Sequence, residues 1–205
     1  MYFSYNIFRK KIFEIYLIIL AVFSIFVNQY FSYRGVFPID SFLIFDAAYN
    51  ILSGQHPFKD YWSITGPFLD YIQSLFFLIF GINWFSYAFH SSFLNMVLAL
   101  FTFYFLFKVG LDKFYSFIYS LGVAILAYPS IGTPFIDHHA VILSVLSVFS
   151  LSLGILFKKN LFWFLTSLFL VLSFFSKQIP SVYFLVLFFF FISFCLFYLK
   201  NLNRK

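Results

Sequence analysis

Charge is what this sequence lacks most. Asp, Glu, Lys and Arg together make up 10% of the 205 residues, where a soluble domain carries roughly 25%. Seven acids and thirteen bases cannot clothe a water-facing surface on a chain that is 63% hydrophobic. Mean hydropathy is +0.95, so the apolar surplus is expected to face lipid and an ordinary soluble domain is excluded. Cysteine is nearly absent too. Cys195 alone cannot close an intramolecular disulfide or build a four-cysteine zinc site, and inside an apolar run it says nothing about redox compartment. Acids are missing from the middle of every long apolar run, and no inverted repeat is visible, which argues against a proton-coupled transporter. Glu14 is near one end of its run, within reach of headgroups.

What is abundant is phenylalanine, with 38 residues. Packing in lipid does not demand Phe over Leu, so biased codon usage accounts for the count better than an aromatic ligand cage does. The net charge of +6 does not point to nucleic acid, because the bases stand at the ends of apolar runs, as in membrane proteins.

The apolar runs set the expected architecture, an all-α integral membrane domain over residues 1–205. Runs at about 12–31, 85–107, 114–129, 139–157, 160–176 and 179–199 read as six crossings of a hydrocarbon core of about 30 Å. The first follows Arg9, Lys10 and Lys11 and ends in Asn28-Gln29-Tyr30-Phe31, unlike the small-residue end of a cleaved signal peptide. A further run, Phe68 to Phe80, is bounded by Gly66-Pro67 and Gly81 and carries Asp70 and Gln73. It is too short to cross and reads as an interfacial helix. With both termini inside, ten bases fall inside and three (Arg34, Lys59, Lys177) outside, the bias that orients membrane proteins. Letting 68–80 cross would destroy that asymmetry. Five of the seven acids then face out: Asp40, Asp46, Asp60, Asp70 and Asp137.

Chemistry is therefore expected in two outer loops, about 32–84 and about 129–138. In the first, Phe42, Phe45, Ala48/Tyr49 and Leu52 recur at helical spacing between Pro38 and Gly54. Asp40 stands at that helix's N-cap position, and Asp46 lies about 240° round from it, so the two are no ready-made carboxylate pair. Lys59 and Asp60 are adjacent, and Tyr61 and Trp62 suit the headgroup level. In the second loop Asp137, His138 and His139 are consecutive; neighbouring helical side chains diverge by about 100°, so a shared metal ion is unsupported and no cofactor is expected. Lys177, in SFFSKQIPSVYF, lies at the outer end of a span, where a base calls for a partner such as an outer acid or a lipid phosphate; a snorkelling interfacial lysine is the plainer alternative.

Taken together, PIDSFLIFDAAYNILSGQHPFKDYW, GPFLDYIQSLFFLIFGIN, DHHAVILSVLSVFSL and LSFFSKQIPSVYFL resemble the N-terminal part of the GT-C membrane glycosyltransferases. That superfamily includes protein O-mannosyltransferases and the aminoarabinose transferase of lipid A. The sequence differs from the family at Ser41, at Thr65-Gly66-Pro67 and at His90. The resemblance implies inverting sugar transfer from a polyprenyl-phosphate donor to an acceptor at the outer face. It implies Asp40 as catalytic base, Asp137 and His138 on the acceptor side, and Lys177 and Lys59 at the donor phosphate. Expected partners are the donor lipid, bulk membrane lipids and, because family members are longer, a chain or segment supplying further spans; nucleic acid is not among them. A bacterial plasma membrane with cytoplasmic termini is the expected location. The alternative is a non-enzymatic subunit or degenerate relative that binds lipid phosphate without catalysis.

Overall fold

The computed structural model describes residues 2–36, 40–64 and 66–202, with backbone alone for 2–10, 195–196 and 198–202. Among these the chain is all helical: α1 Tyr2–Ser32, α2 Asp40–Leu52, α3 Phe68–Phe80, α4 Trp84–Lys108, α5 Lys113–Leu126, α6 Ile136–Phe157, α7 Asn160–Ser176 and α8 Gln178–Leu202. Pro38, Thr65, Arg204 and Lys205, used in the sequence reading, lie outside the described residues.

Three helical stretches are long and apolar enough to cross a membrane: Lys11–Ser32, Trp84–Lys108 and Ile136–Phe157. The expected crossings at 114–129 and 160–176 are helices of 14 and 17 residues, about 21 and 26 Å at 1.5 Å per residue, shorter than a hydrocarbon core. The run 68–80 is α3, with the bounds its flanking Gly and Pro residues impose. Gly81, at φ +83°, takes a positive-φ conformation that favours glycine and ends the helix. Asn83 and Asp112 cap α4 and α5, accepting from the amides of Ser86 and Phe114, each at 2.8 Å.

Polar side chains fasten the apolar helices where a hydrophobic driving force between them is weak. The Asn95 amide on α4 donates to the carbonyls of Ser24 on α1 (3.1 Å) and Ala124 on α5 (2.9 Å). The Asn28 amide on α1 donates to Ser92 Oγ (2.9 Å) and to the Gly132 carbonyl (3.1 Å). On the other side of the molecule Ser173 of α7 meets Ser144 of α6 at 2.8 Å and Ser181 of α8 at 2.6 Å. Rings fill the remaining space, as in the Phe105–Phe149 stack at 4.2 Å.

Direction follows from these contacts. Ser32 at the end of α1 accepts from the Trp84 indole at the start of α4 (3.1 Å), and Gly132 lies against the Ser32 backbone so closely that a Cβ would come within 2.6 Å of it. Both ends meet the α5–α6 connection. At the opposite end Lys113 covers the rings of Phe13 and Phe107. α6 then runs away from the first end and α7 packs back along it, returning Lys177 to Asp137. One end of the bundle thus gathers Asp137 and, through α2 and α3 packed on α4, Asp40, Asp46 and Asp70. The other gathers Lys108, Lys113, Lys158 and Lys159.

Candidate functional site

At the acidic end α6 begins three residues earlier than the apolar run suggests, so Asp137 and His138, expected in a loop, join His139 in its first turn. Their side chains diverge as helical spacing requires. Asp137 faces the α7–α8 junction, where its Oδ1 is 2.6 Å from Lys177 Nζ. Of the outer acids open to Lys177 in the sequence, the fold selects this one. The pair is half-buried, with the two side chains 42% and 28% exposed.

Asp137 and His138 close one end of an apolar groove of about 440 Å³ between α4, α5 and α6. Leu98 and Thr102 form one wall, Val123 and Ala127 the second, and Val141, Ile142, Val145 and Phe149 the third. A polar head of carboxylate and imidazole stands above an apolar trough, and Lys177 joins it only through its ion pair with Asp137. His138 Nε2 is 3.4 Å from Ser130 Oγ, and its Nδ1 is buried without a partner among the described residues, a donor or acceptor in reserve at the head of the trough.

His139 points inward and belongs to a buried chain that the sequence reading did not single out. Gln73 Oε1 on α3 is 2.8 Å from His90 Nδ1 on α4, and His90 Nε2 is 3.0 Å from His139 Nε2. His139 Nδ1 meets the Tyr128 hydroxyl, which accepts from the Phe135 amide at 2.9 Å. With both rings neutral and Gln73 Oε1 accepting, the chain has one direction: the Tyr128 hydroxyl donates to His139, His139 to His90, and His90 to Gln73. The chain ties α3, α4, α6 and the 127–135 connection into one body behind the site. Single histidines inside apolar runs were the available signal, since ionisable residues there are rare.

The other expected site residues are placed elsewhere. Asp40 opens α2, exposed in its first turn. Lys59 is exposed and 4.0 Å from Asp60. Among the described residues no hydrogen bond or ion pair links either of them to Asp137, His138 or Lys177. No group of three or more His, Cys, Asp or Glu among the described residues is disposed to hold a metal ion.

Comparison with known proteins finds no family model that matches this chain, and no match among curated proteins or solved structures.

A second concavity lies on the α2–α3 layer. Asp70, one of the few carboxylates facing it, is buried, and Tyr61 and Ser63 donate to its Oδ2 at 3.1 and 3.4 Å. Burial raises the pKa of Asp70 to about 6 against the opposing effect of those two hydrogen bonds. Burial, with Asp70 adding to it, pushes the Tyr61 phenol upward as well.

Proposed function

We propose that this chain works at the outer interface of a membrane on a polyprenyl-phosphate-linked sugar, transferring the sugar with inversion as GT-C glycosyltransferases do. The observation that carries the reading is the groove headed by Asp137 and His138, with Lys177 paired to Asp137 beside it. An isoprenoid chain fits the apolar trough, and its phosphate fits beside the one ammonium at the head. As the phosphate arrives, Lys177 exchanges a carboxylate oxygen for a phosphate oxygen. The released Asp137 and the spare nitrogen of His138 face the acceptor side.

In this reading Asp40 takes the proton of the acceptor hydroxyl as that oxygen attacks the anomeric carbon. The bond from that carbon to the phosphate oxygen breaks, and Lys177 holds the departing polyprenyl phosphate. Lys59, on the same acidic end, gives the donor a second positive charge on approach. Six crossings with the basic end cytoplasmic, in a bacterial plasma membrane, put that head at the outer leaflet. A partner chain or further segment completes the acceptor side.

One observation favours a second reading, lipid-phosphate binding without catalysis. Asp40 lines neither the groove nor the second concavity, so the expected base is separate from the expected phosphate site. A single assay divides the two readings. The chain is reconstituted in vesicles with radiolabelled polyprenyl-phosphate-sugar, and both retained donor and released polyprenyl phosphate are measured. Transfer that disappears in Asp40→Asn, with donor retention intact, supports the enzyme. Retention without turnover supports the binding subunit, and Lys177→Met should weaken retention about tenfold or more in either case. Unchanged retention in Lys177→Met would remove the phosphate site from both.

A further inference from the structure

The concavity on the α2–α3 layer has no part in the transfer proposed above. It encloses about 230 Å³, and its polar lining is Asp46, Asn50, Tyr61, Ser63 and Asp70. Asp70 is 3% exposed. Both donors that reach it, Tyr61 and Ser63, go to Oδ2, and among the described residues nothing donates to Oδ1. Neither Asp46 nor Asp70 has an ion-pair partner among the described residues. Asp70 Oδ1 therefore remains available to a ligand in the cavity, and a second carboxylate at the same cavity adds to the negative potential. Trp62, which also lines the cavity, is 82% exposed and free to lay its ring over a cation. The space exceeds that of a bare ion, and its apolar wall of Leu43, Ile44 and Ala47 suits a ligand with carbon attached to its charge.

We infer that this cavity binds the primary ammonium group of a small organic ligand, with Asp70 and Asp46 as its counter-ions and Trp62 as its cover. Ammonium of this kind occurs on free amines and on the ethanolamine headgroup of membrane lipids. The inference does not depend on glycosyl transfer.

The test uses the full chain in phosphatidylcholine nanodiscs, titrated with ethanolamine and, as the uncharged isostere, ethylene glycol. Calorimetry follows binding. In a parallel arm, native mass spectrometry measures which lipid is retained from vesicles of equal phosphatidylethanolamine and phosphatidylcholine. Saturable ethanolamine binding identifies a free amine as a ligand, and enrichment of phosphatidylethanolamine identifies the headgroup. In either arm Asp46→Asn and Asp70→Asn should each cut binding about tenfold or more. Asp46 is exposed, so its substitution leaves the core intact, and an unlowered unfolding midpoint confirms the fold of both variants. The inference is overturned by failure of both arms, by equal binding of ethylene glycol, or by binding that neither substitution weakens.

Discussion

Asp70 is buried under Tyr61 and Ser63, and burial raises its pKa to about 6. The native state therefore holds a proton that the unfolded chain releases near 3.8. Stability is full below the unfolded value and falls as pH rises through about 6. A shift of about two units corresponds to roughly 3 kcal/mol at most. Asp70→Asn should consequently be neutral or stabilising at pH 7.5 and lose its advantage at pH 4, which thermal unfolding in detergent at the two pH values will measure. Lower stability of the variant at pH 7.5 than at pH 4, relative to the parent, would contradict the assigned environment. His90 is the opposite case, since both of its ring nitrogens have partners. His90→Leu strands Gln73 Oε1 and His139 Nε2, and should cost about 2–4 kcal/mol, read as a lowered unfolding midpoint. Neither residue's role was legible in the sequence. An isolated polar residue in an apolar run reads the same whether it faces lipid, a headgroup or another buried group.

At the scale of elements, legibility tracked punctuation. α3 was readable to the residue because Gly66-Pro67 and Gly81 bracket it, and α4 and α7 because Asn83 and Lys159-Asn160 break the apolar pattern. The start of α6 was not, because Phe135 occupies its N-cap position without a capping side chain. The apolar pattern accordingly leaves Asp137 and His138 in a loop, where the fold has the first turn of a helix. Lys177 was marked as needing a partner, but choosing Asp137 among five acids required the α6–α7 packing that only the fold supplies. The polar ties between helices were equally hidden. Asn95 joins three helices through one amide, so Asn95→Leu should loosen α1 and α5 from α4 at a cost of about 1–2 kcal/mol. Hydrogen exchange at the ends of α5 that does not rise in that variant would show that the tie is dispensable.

For the molecule as a whole, composition settles the apolar, helical character, and three helical stretches are long enough to cross a bilayer. The fold adds that most of the acids gather at one end of the bundle and Lys108, Lys113, Lys158 and Lys159 at the other. That sorting predicts opposite labelling of the two ends. In a Cys195→Ser background, cysteines placed at Lys59 and Ser130 should react with an impermeant maleimide from one side of sealed vesicles, and those at Lys113 and Lys158 only from the other. Labelling of the Lys59 and Lys113 positions from the same side would contradict the proposed six crossings.

The central claim is that the groove and the Asp137–Lys177 pair form a single site for a lipid with a phosphate head. Val141 lines the groove at 43% exposure, so Val141→Trp fills the trough while both members of the ion pair are kept, and Lys177→Met removes the cation while the trough residues are kept. Native mass spectrometry of the chain incubated with a polyprenyl-phosphate-sugar should find one lipid bound to the parent and little on either variant. Equal retention by the parent and both variants would contradict the account.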